Sequence, residues 1–493
     1  MRNNQRPEND RVICRSDWQY ISVLLGIGFL TRMIFFSQTY LISIDGAFQY
    51  IPVAKLFTCG EYWEALHRPQ LPLYPYLVAI FSKITGNLEV SGQIISIITS
   101  VLAVIPLFLL GKYIFGKAAA FGAGIFYLLN PEMLQRSADV LQEGILIFLL
   151  FSAVLLFYFF LNRRGVGWLI ASIFVTLLAA LIRVVSLMFI PVFTFWILFY
   201  RRKPFVMTFS KRLGYVLVIL ALCAMVVFPL MINVKTVTGR WDISKKSITL
   251  HQLIESIFFG KVLDVGETET GPLVLVKKMI KVYHPVLFLF LLVGLIKRKA
   301  VARNLFKEIF LLSFIFGYLI IIGMMMWSTQ RYLFFPILLS YLWAGAGAVE
   351  IQERVTNRWN LSPKSVTIGL FIFIFIVFLP ILLNPYRVEK IGRKGVGFWI
   401  KEQEIGKPLI MTDAYLVAYY AESDLLEMDN LNYKRNISEA REKGIKYIVV
   451  EEKRAVKDYP NLIELAKKDF TLGKVFQLAG KHQEKFLIFR SKY

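Results

Sequence analysis

"ISVLLGIGFLTRMIFFSQTYLISIDGAFQYIPVAKLF", residues 21–57, is the stretch that decides how the chain is to be read. Its first part stays apolar long enough to cross a bilayer, whose hydrocarbon core takes about 20 residues of helix. Asp45 stands where that run ends, and the amphipathic stretch after it never becomes a second span. A carboxylate placed there is either an ordinary interfacial charge that closes a span or the start of a site.

Composition favours lipid as the main solvent. Of 493 residues, 56% are hydrophobic and only 18% charged, with mean hydropathy +0.57. A soluble domain carries about 25% charged residues. Apolar stretches of spanning length fall near 20–43, 94–115, 118–131, 140–161, 166–182, 184–200, 212–233, 283–296, 308–327, 332–349 and 365–383, predicting eleven transmembrane helices. The first is too long for a cleaved leader and lacks a small-residue cleavage site, so it reads as a signal anchor.

A net charge of +23 invites a nucleic-acid reading. The placement of the charge argues against one. Basic residues recur in every second connection: Lys112 and Lys117, Arg163 and Arg164, Arg201 to Lys203, Lys297 to Lys299, with more in the N-terminal tail. Positive-inside topology makes these cytoplasmic. Eleven spans then put the N-terminus in the cytoplasm and the C-terminus outside, and no nucleic-acid partner is expected. Cys14, Cys59 and Cys223 fall in unrelated places and suggest neither a disulfide framework nor a metal cluster.

That topology leaves four pieces on the outer face: 44–93, the turn "NPEMLQRSAD" (130–139), the loop 234–282, and everything after about 384. Within the first, "DGAFQYIPVAKLFTCG" and "LPLYPYLVAIFSKITG" suit two helices lying in the membrane interface, joined by "EYWEALHRPQ". The tail is charged, and its runs "KPLIMTDAYLVAYYAE" and "GIKYIVVEE" alternate strand-like and helical patterns. The expected fold is an all-α polytopic membrane domain, 1–383, followed by a small extracytoplasmic α/β domain, 384–493.

Charged groups collect on the outer level. The connection 44–93 holds Asp45, Glu61, Glu64, His67 and Arg68; the next outer turn adds Glu132, Arg136 and Asp139, with Glu143 just inside the fourth span. Arg183 interrupts "AALIRVVS" between two spans, and Arg331 with Tyr332 opens the tenth. Arginine grips phosphate with a planar two-pronged donor set, and a carboxylate can take a proton from an attacking hydroxyl. Such a set suits a substrate with a phosphate head and a lipid tail.

The chain resembles the GT-C membrane glycosyltransferases that use polyprenyl-phosphate sugars, a class including protein O-mannosyltransferases and the lipid A aminoarabinose transferases (family 39). The likeness covers most of the chain and rests on "SIDGAFQY", "HRPQLPLYPYLVAIFSKITG", "YLLNPEMLQRSADVLQEGILIFLL", "AALIRVVS", "QRYLFFPIL" and the C-terminal α/β region. The resemblance implies an inverting hexosyl- or pentosyltransferase of the cell membrane, with a polyprenyl-phosphate sugar as donor and an envelope lipid, glycan or protein as acceptor. It makes Asp45 the catalytic carboxylate and gives substrate-binding roles to Arg68, Arg136, Asp139, Glu143, Arg183, Arg331 and Tyr332. A divalent metal ion, if the enzyme uses one, would fall to Asp45 and Asp139. Relatives carry lysine where this chain has Gln70, and Arg68 is its nearest replacement.

Plainer readings stand beside these. Asp139 could cap the fourth span, and Arg183 could snorkel to the interface. "GKYIFGKA" (111–118) satisfies G-x-x-x-x-G-K but lacks the following Ser/Thr and joins two spans, so it reads as a basic turn. A flippase for lipid-linked saccharides would want charges deep in several spans and an internal repeat; neither is visible. A saccharide polymerase or ligase is the nearer alternative.

Overall fold

The run AGAGA at 344–348 lets three helices meet backbone to backbone. A Cβ added at Gly345 would overlap the Ala119 carbonyl, at Gly347 the Phe290 carbonyl, and at Gly294 the Trp343 carbonyl. The helices Lys117–Leu129, Pro285–Ile296 and Phe334–Trp359 therefore cross at distances that only hydrogen side chains allow. In lipid, where apolar burial gives helices little reason to associate, such small-residue contact is a main source of packing energy. The computed structural model describes residues 14–163, 165–201, 207–243, 245, 272–296, 301, 304–324, 330–384, 387–429, 431–477 and 484–493.

The described residues form two units, 1–35 with 53–383, and 36–52 with 384–493. In the first, seven helices are long and apolar enough to span a bilayer, among them Arg15–Ser37, Glu143–Arg163, Phe209–Thr238 and Pro363–Leu383. An eighth candidate is the bent pair Lys277–Tyr283 and Pro285–Ile296, which turns through 98°. The bend falls at His284, whose φ of 67° is left-handed and which precedes a proline that disfavours helix before it. Shorter apolar helices at Lys117–Leu129, Val166–Ala180 and Val184–Phe199 complete the eleven stretches the sequence marks, with Leu73–Thr85 beside them.

Several boundaries differ from the sequence reading. The first span stops at Ser37, short of 43, and the seventh extends to Phe209–Thr238 around an internal Pro229. "EYWEALHRPQ" is more than a connector, since Tyr62–His67 is helical. "NPEMLQRSAD" is more than a turn: Pro131–Ser137 is a helix opened by Asn130, whose side chain accepts from Met133 N at 2.9 Å. Arg164, the basic runs 202–203 and 297–299, the N-terminal tail before Cys14, and most of the loop 234–282 lie outside the described residues.

Buried polar groups tie the spans together. Asp17 pairs with Lys112 and, at 3.0 Å, with Lys117, joining the ends of three helices. Arg32, fully buried, donates to Ser100 Oγ at 3.1 Å and to the Leu128 carbonyl at 3.0 Å. Asn130 Nδ2 donates to the Val282 carbonyl and to Tyr341 Oη at 2.9 and 2.7 Å. Each bond satisfies a group that hydrocarbon cannot.

The second unit is built on a five-stranded sheet ordered β2-β1-β3-β5-β4, with β1 Leu409–Thr412, β2 Asp424–Glu427, β3 Ile445–Glu451, β4 Phe470–Gln477 and β5 Lys485–Ser491. β1 runs parallel to β2 and β3, while β5 runs antiparallel to β3 and β4. Alternation along β3 sends Ile448 and Val450 into one core and Tyr447 and Val449 into the other. Residues 36–52 belong to this unit. Ser43 starts a helical turn there, its side chain accepting from Gly46 N at 3.1 Å, and the turn widens into a π-helix at Gly46–Tyr50.

Candidate active site

In the first unit the sequence candidates gather around Glu143. The helix Val166–Ala180 gives way to extended backbone at Arg183, followed by the 3-10 turn Val184–Met188. Arg183 is 6% exposed and Glu143, which opens the next-door helix Glu143–Arg163, is 1% exposed. Arg183 Nη2 donates to Glu143 Oε1 at 2.8 Å. The Arg183 guanidinium also lies 4.6 Å from the ring centre of Tyr332, within the range of cation–π attraction. The snorkelling alternative fails here, because the charged head is turned inward.

Two further arginines bear on the same carboxylate. The charges of Arg136 and Arg331 both reach Glu143 electrostatically. Arg136 lies 5.0 Å from the ring centre of Phe334 and 3.6 Å from Glu132. Arg136, Glu143, Arg183, Arg331 and Tyr332 thus come together as one group. Tyr318 joins it, since its buried hydroxyl interacts electrostatically with Arg183, Tyr332 and Glu143. Sequence reasoning missed Tyr318 because a lone tyrosine in an apolar span looks like packing. Asp139 is fully buried near the start of the fourth span and accepts from Val140 N at 2.7 Å.

Arg68 is placed differently. It is exposed and pairs with Glu64 at 2.7 Å on the helix Tyr62–His67. Beside it lies a cavity of about 390 Å³ whose wall includes Trp63, Leu66, Gln70, Pro72, Pro229 and Lys245. Lys245 Nζ donates to the Leu66 carbonyl and, at 3.1 Å, to the Arg68 carbonyl. These carbonyls end a short helix, where a cation is favoured. Burial nevertheless pulls the Lys245 ammonium down to about 8. An apolar groove with one ammonium in its wall can hold a lipid whose head is anionic. No motif pointed to Lys245.

Asp45 lies in the second unit, at the entrance of the π-helix, half-buried. Its Oδ1 accepts from Gln49 Nε2 at 2.7 Å, one turn along. Among the described residues, no three His, Cys, Asp or Glu side chains come together as a metal-binding group. No step below is routed through a metal.

A family model described as dolichyl-phosphate-mannose-protein mannosyltransferase matches residues 67–232. No curated protein matches the sequence. Among solved structures, ArnT from Cupriavidus metallidurans bound to undecaprenyl phosphate is similar over 96% of this chain and 98% of its own, with 10% identity and a TM-score of 0.61. The Archaeoglobus fulgidus oligosaccharyltransferase matches 97% of this chain and 75% of its own, with 16% identity and a TM-score of 0.61. The same organism's AglB, in complex with an inhibitory peptide and a dolichol-phosphate, gives 15% identity and a TM-score of 0.60. The fold is shared with ArnT and the Archaeoglobus fulgidus oligosaccharyltransferase, in a multi-span membrane protein with a small C-terminal sheet domain.

Proposed function

We propose that this protein is an inverting glycosyltransferase of the cell membrane, acting on the extracytoplasmic face. The donor is a polyprenyl-phosphate sugar and the acceptor a hydroxyl of an envelope lipid, glycan or protein. In this reading the N-terminus is cytoplasmic and the sheet domain extracytoplasmic, a topology supported by the distribution of basic residues.

The observation that carries this reading is the buried Arg183–Glu143 pair with Arg136 and Arg331 in reach. Arginine stays charged under all physiological conditions and matches phosphate oxygens two at a time. In water-poor surroundings, donors aimed at a departing phosphate stabilise the charge that develops on it. Glu143 holds the Arg183 fork in one orientation. The groove beside Lys245 suits the isoprenoid chain, which no soluble nucleotide sugar would need.

The bond changes are simple. Asp45 accepts the proton of the acceptor hydroxyl as its oxygen attacks the anomeric carbon. The carbon–oxygen bond to phosphate breaks, and its electron pair stays on the lipid phosphate. Attack from the face opposite the leaving group inverts the anomeric centre.

The test is transfer by purified protein from a radiolabelled monosaccharide-lipid donor. Asp45→Asn is expected to fold normally and lose transfer by at least about 100-fold, the lower range for removing a general base. Full activity of that variant would remove Asp45 from the chemistry. A polymerase or ligase would ignore a monosaccharide donor, and a flippase would move label across vesicles without breaking the sugar–phosphate bond.

A further inference from the structure

The chain leaves the first span, makes the Asp45 segment, and returns to the membrane unit, yet that segment folds with residues more than 300 positions later. Phe48 follows Asp45 by three residues. Its ring meets Tyr415 edge-on at 6.1 Å and Tyr419 at 6.3 Å between centroids. Both tyrosines sit on the helix Tyr415–Tyr420, on the face one turn apart. At the front of the segment, Lys394 Nζ donates to the Tyr40 carbonyl at 3.1 Å. Between these two holds, Leu41, Ile42 and Ala47 are buried, as is Tyr50 just beyond them.

The gripping helix is itself well seated. Its own Leu416, Val417 and Ala418 are buried. Gly397 on the helix Ile391–Gln403 approaches so closely that a Cβ there would lie 2.8 Å from the Val417 carbonyl. The Tyr415 hydroxyl is bonded to Glu427 at the end of β2. The hydroxyl keeps its proton, pushed up to about 12 by burial and by the neighbouring Glu427. The ring that touches Phe48 is thus pinned to the sheet from the other side.

We propose that the C-terminal sheet domain is the positioning element for Asp45: Tyr415 and Tyr419 clamp Phe48 and so fix the carboxylate's place and direction. The π-helix supports this, because a widened turn breaks the regular ladder and is held only where surroundings enforce it. The inference rests on the reading of Asp45 as the catalytic base. It assigns the sheet domain a part in turnover, with the tyrosines acting through Asp45 and not on substrate.

The experiment uses full-length protein and three variants: Asp45→Asn, Tyr415→Ala/Tyr419→Ala, and Tyr415→Phe/Tyr419→Phe. Misplacing a catalytic group by about 1 Å can cost about 100-fold. The double alanine variant is therefore expected to lose 10- to 100-fold in kcat, with KM for the lipid donor within about twofold. The double phenylalanine variant keeps both rings against Phe48 and gives up the Tyr415–Glu427 bond, so it should retain most of kcat. A nitroxide on Ile44→Cys, with Cys14, Cys59 and Cys223 changed to serine, reads the segment directly. Its spectrum should be immobilised in the parent and in the phenylalanine variant, and mobile in the alanine variant. An alanine variant with parental kcat, or one that loses kcat while the label stays immobile, overturns the clamp. Full activity of Asp45→Asn overturns the catalytic reading instead, and the two failures are thereby told apart.

Discussion

Arg183 either grips phosphate or merely neutralises Glu143, and a double-variant cycle separates the two. With Glu143 1% and Arg183 6% exposed, Arg183→Met leaves a carboxylate buried without its hydrogen-bonded cation. Removing one partner of a buried pair costs about 3–5 kcal/mol. Arg136 and Arg331 still act on Glu143, so the lower end of that range is expected. Replacing both partners by uncharged groups of similar size is often near neutral. Arg183→Met/Glu143→Gln should therefore recover most of the lost stability, a coupling of roughly 2–3 kcal/mol, as contacting residues show. Catalysis should respond differently. A hydrogen bond to a charged group contributes about 1.5–3 kcal/mol, and each 1.36 kcal/mol is about tenfold in rate. One lost phosphate contact then means about 10- to 150-fold less transfer, and the double variant should be no more active than Arg183→Met. Arg183→Lys, which keeps the charge but not the fork, should fall between. The assays are thermal unfolding in detergent and transfer from labelled lipid donor. If the double variant regained transfer along with stability, Arg183 would be a counter-ion and the phosphate assignment would fail.

Three other perturbations test separate parts of the structure. Gly345→Val forces branched carbon into the Ala119 backbone and should cost at least the 1–3 kcal/mol typical of overpacking, seen as a lower unfolding temperature and poor yield of folded protein. Glu404 accepts from Tyr447 and Lys446 at 2.6 and 2.7 Å; burial opposes its ionisation, but these bonds and the Arg490 charge outweigh it and hold the carboxyl below its ordinary value. Its contribution is therefore complete above the unfolded value near 4.3 and lost as pH falls through the folded one, so the stability gap to Glu404→Gln should close in acid. Lys245 runs the opposite way: burial lowers it from 10.5 to about 8, so the folded state sheds its proton first. Wild-type stability relative to Lys245→Met should rise between pH 8 and 10.5, measured as the difference in unfolding midpoint.

What the sequence revealed follows from which signals are local. Span positions are local, because about 20 apolar residues have one stable use in a bilayer, and the structure puts helices on all eleven stretches. Span ends are less legible: nothing in the composition near residue 40 says that helix stops at Ser37 and that the next residues join a domain built hundreds of positions later. That join is carried by ring contacts of Phe48, and a phenylalanine in an interfacial stretch looks the same whether it faces lipid or two tyrosines.

The arginine group was legible for the opposite reason. A guanidinium within an apolar run is costly wherever it points, so Arg183 advertises a partner even in a single sequence. Its exposure of 6% and its bond to Glu143 show how the cost is met. Lys245 and Tyr318 carry no such flag: one sits in the charged stretch "GRWDISKK", the other hides in "FGYLIII". The same logic explains Arg68, which stands in a polar stretch where exposure is cheap and is found exposed on Glu64. Charge is informative in proportion to how badly its sequence surroundings would solvate it. By that measure Asp45, in an amphipathic stretch beyond the first span, carries little signal of its own, and its segment is marked by Phe48 and the two tyrosines that its ring meets.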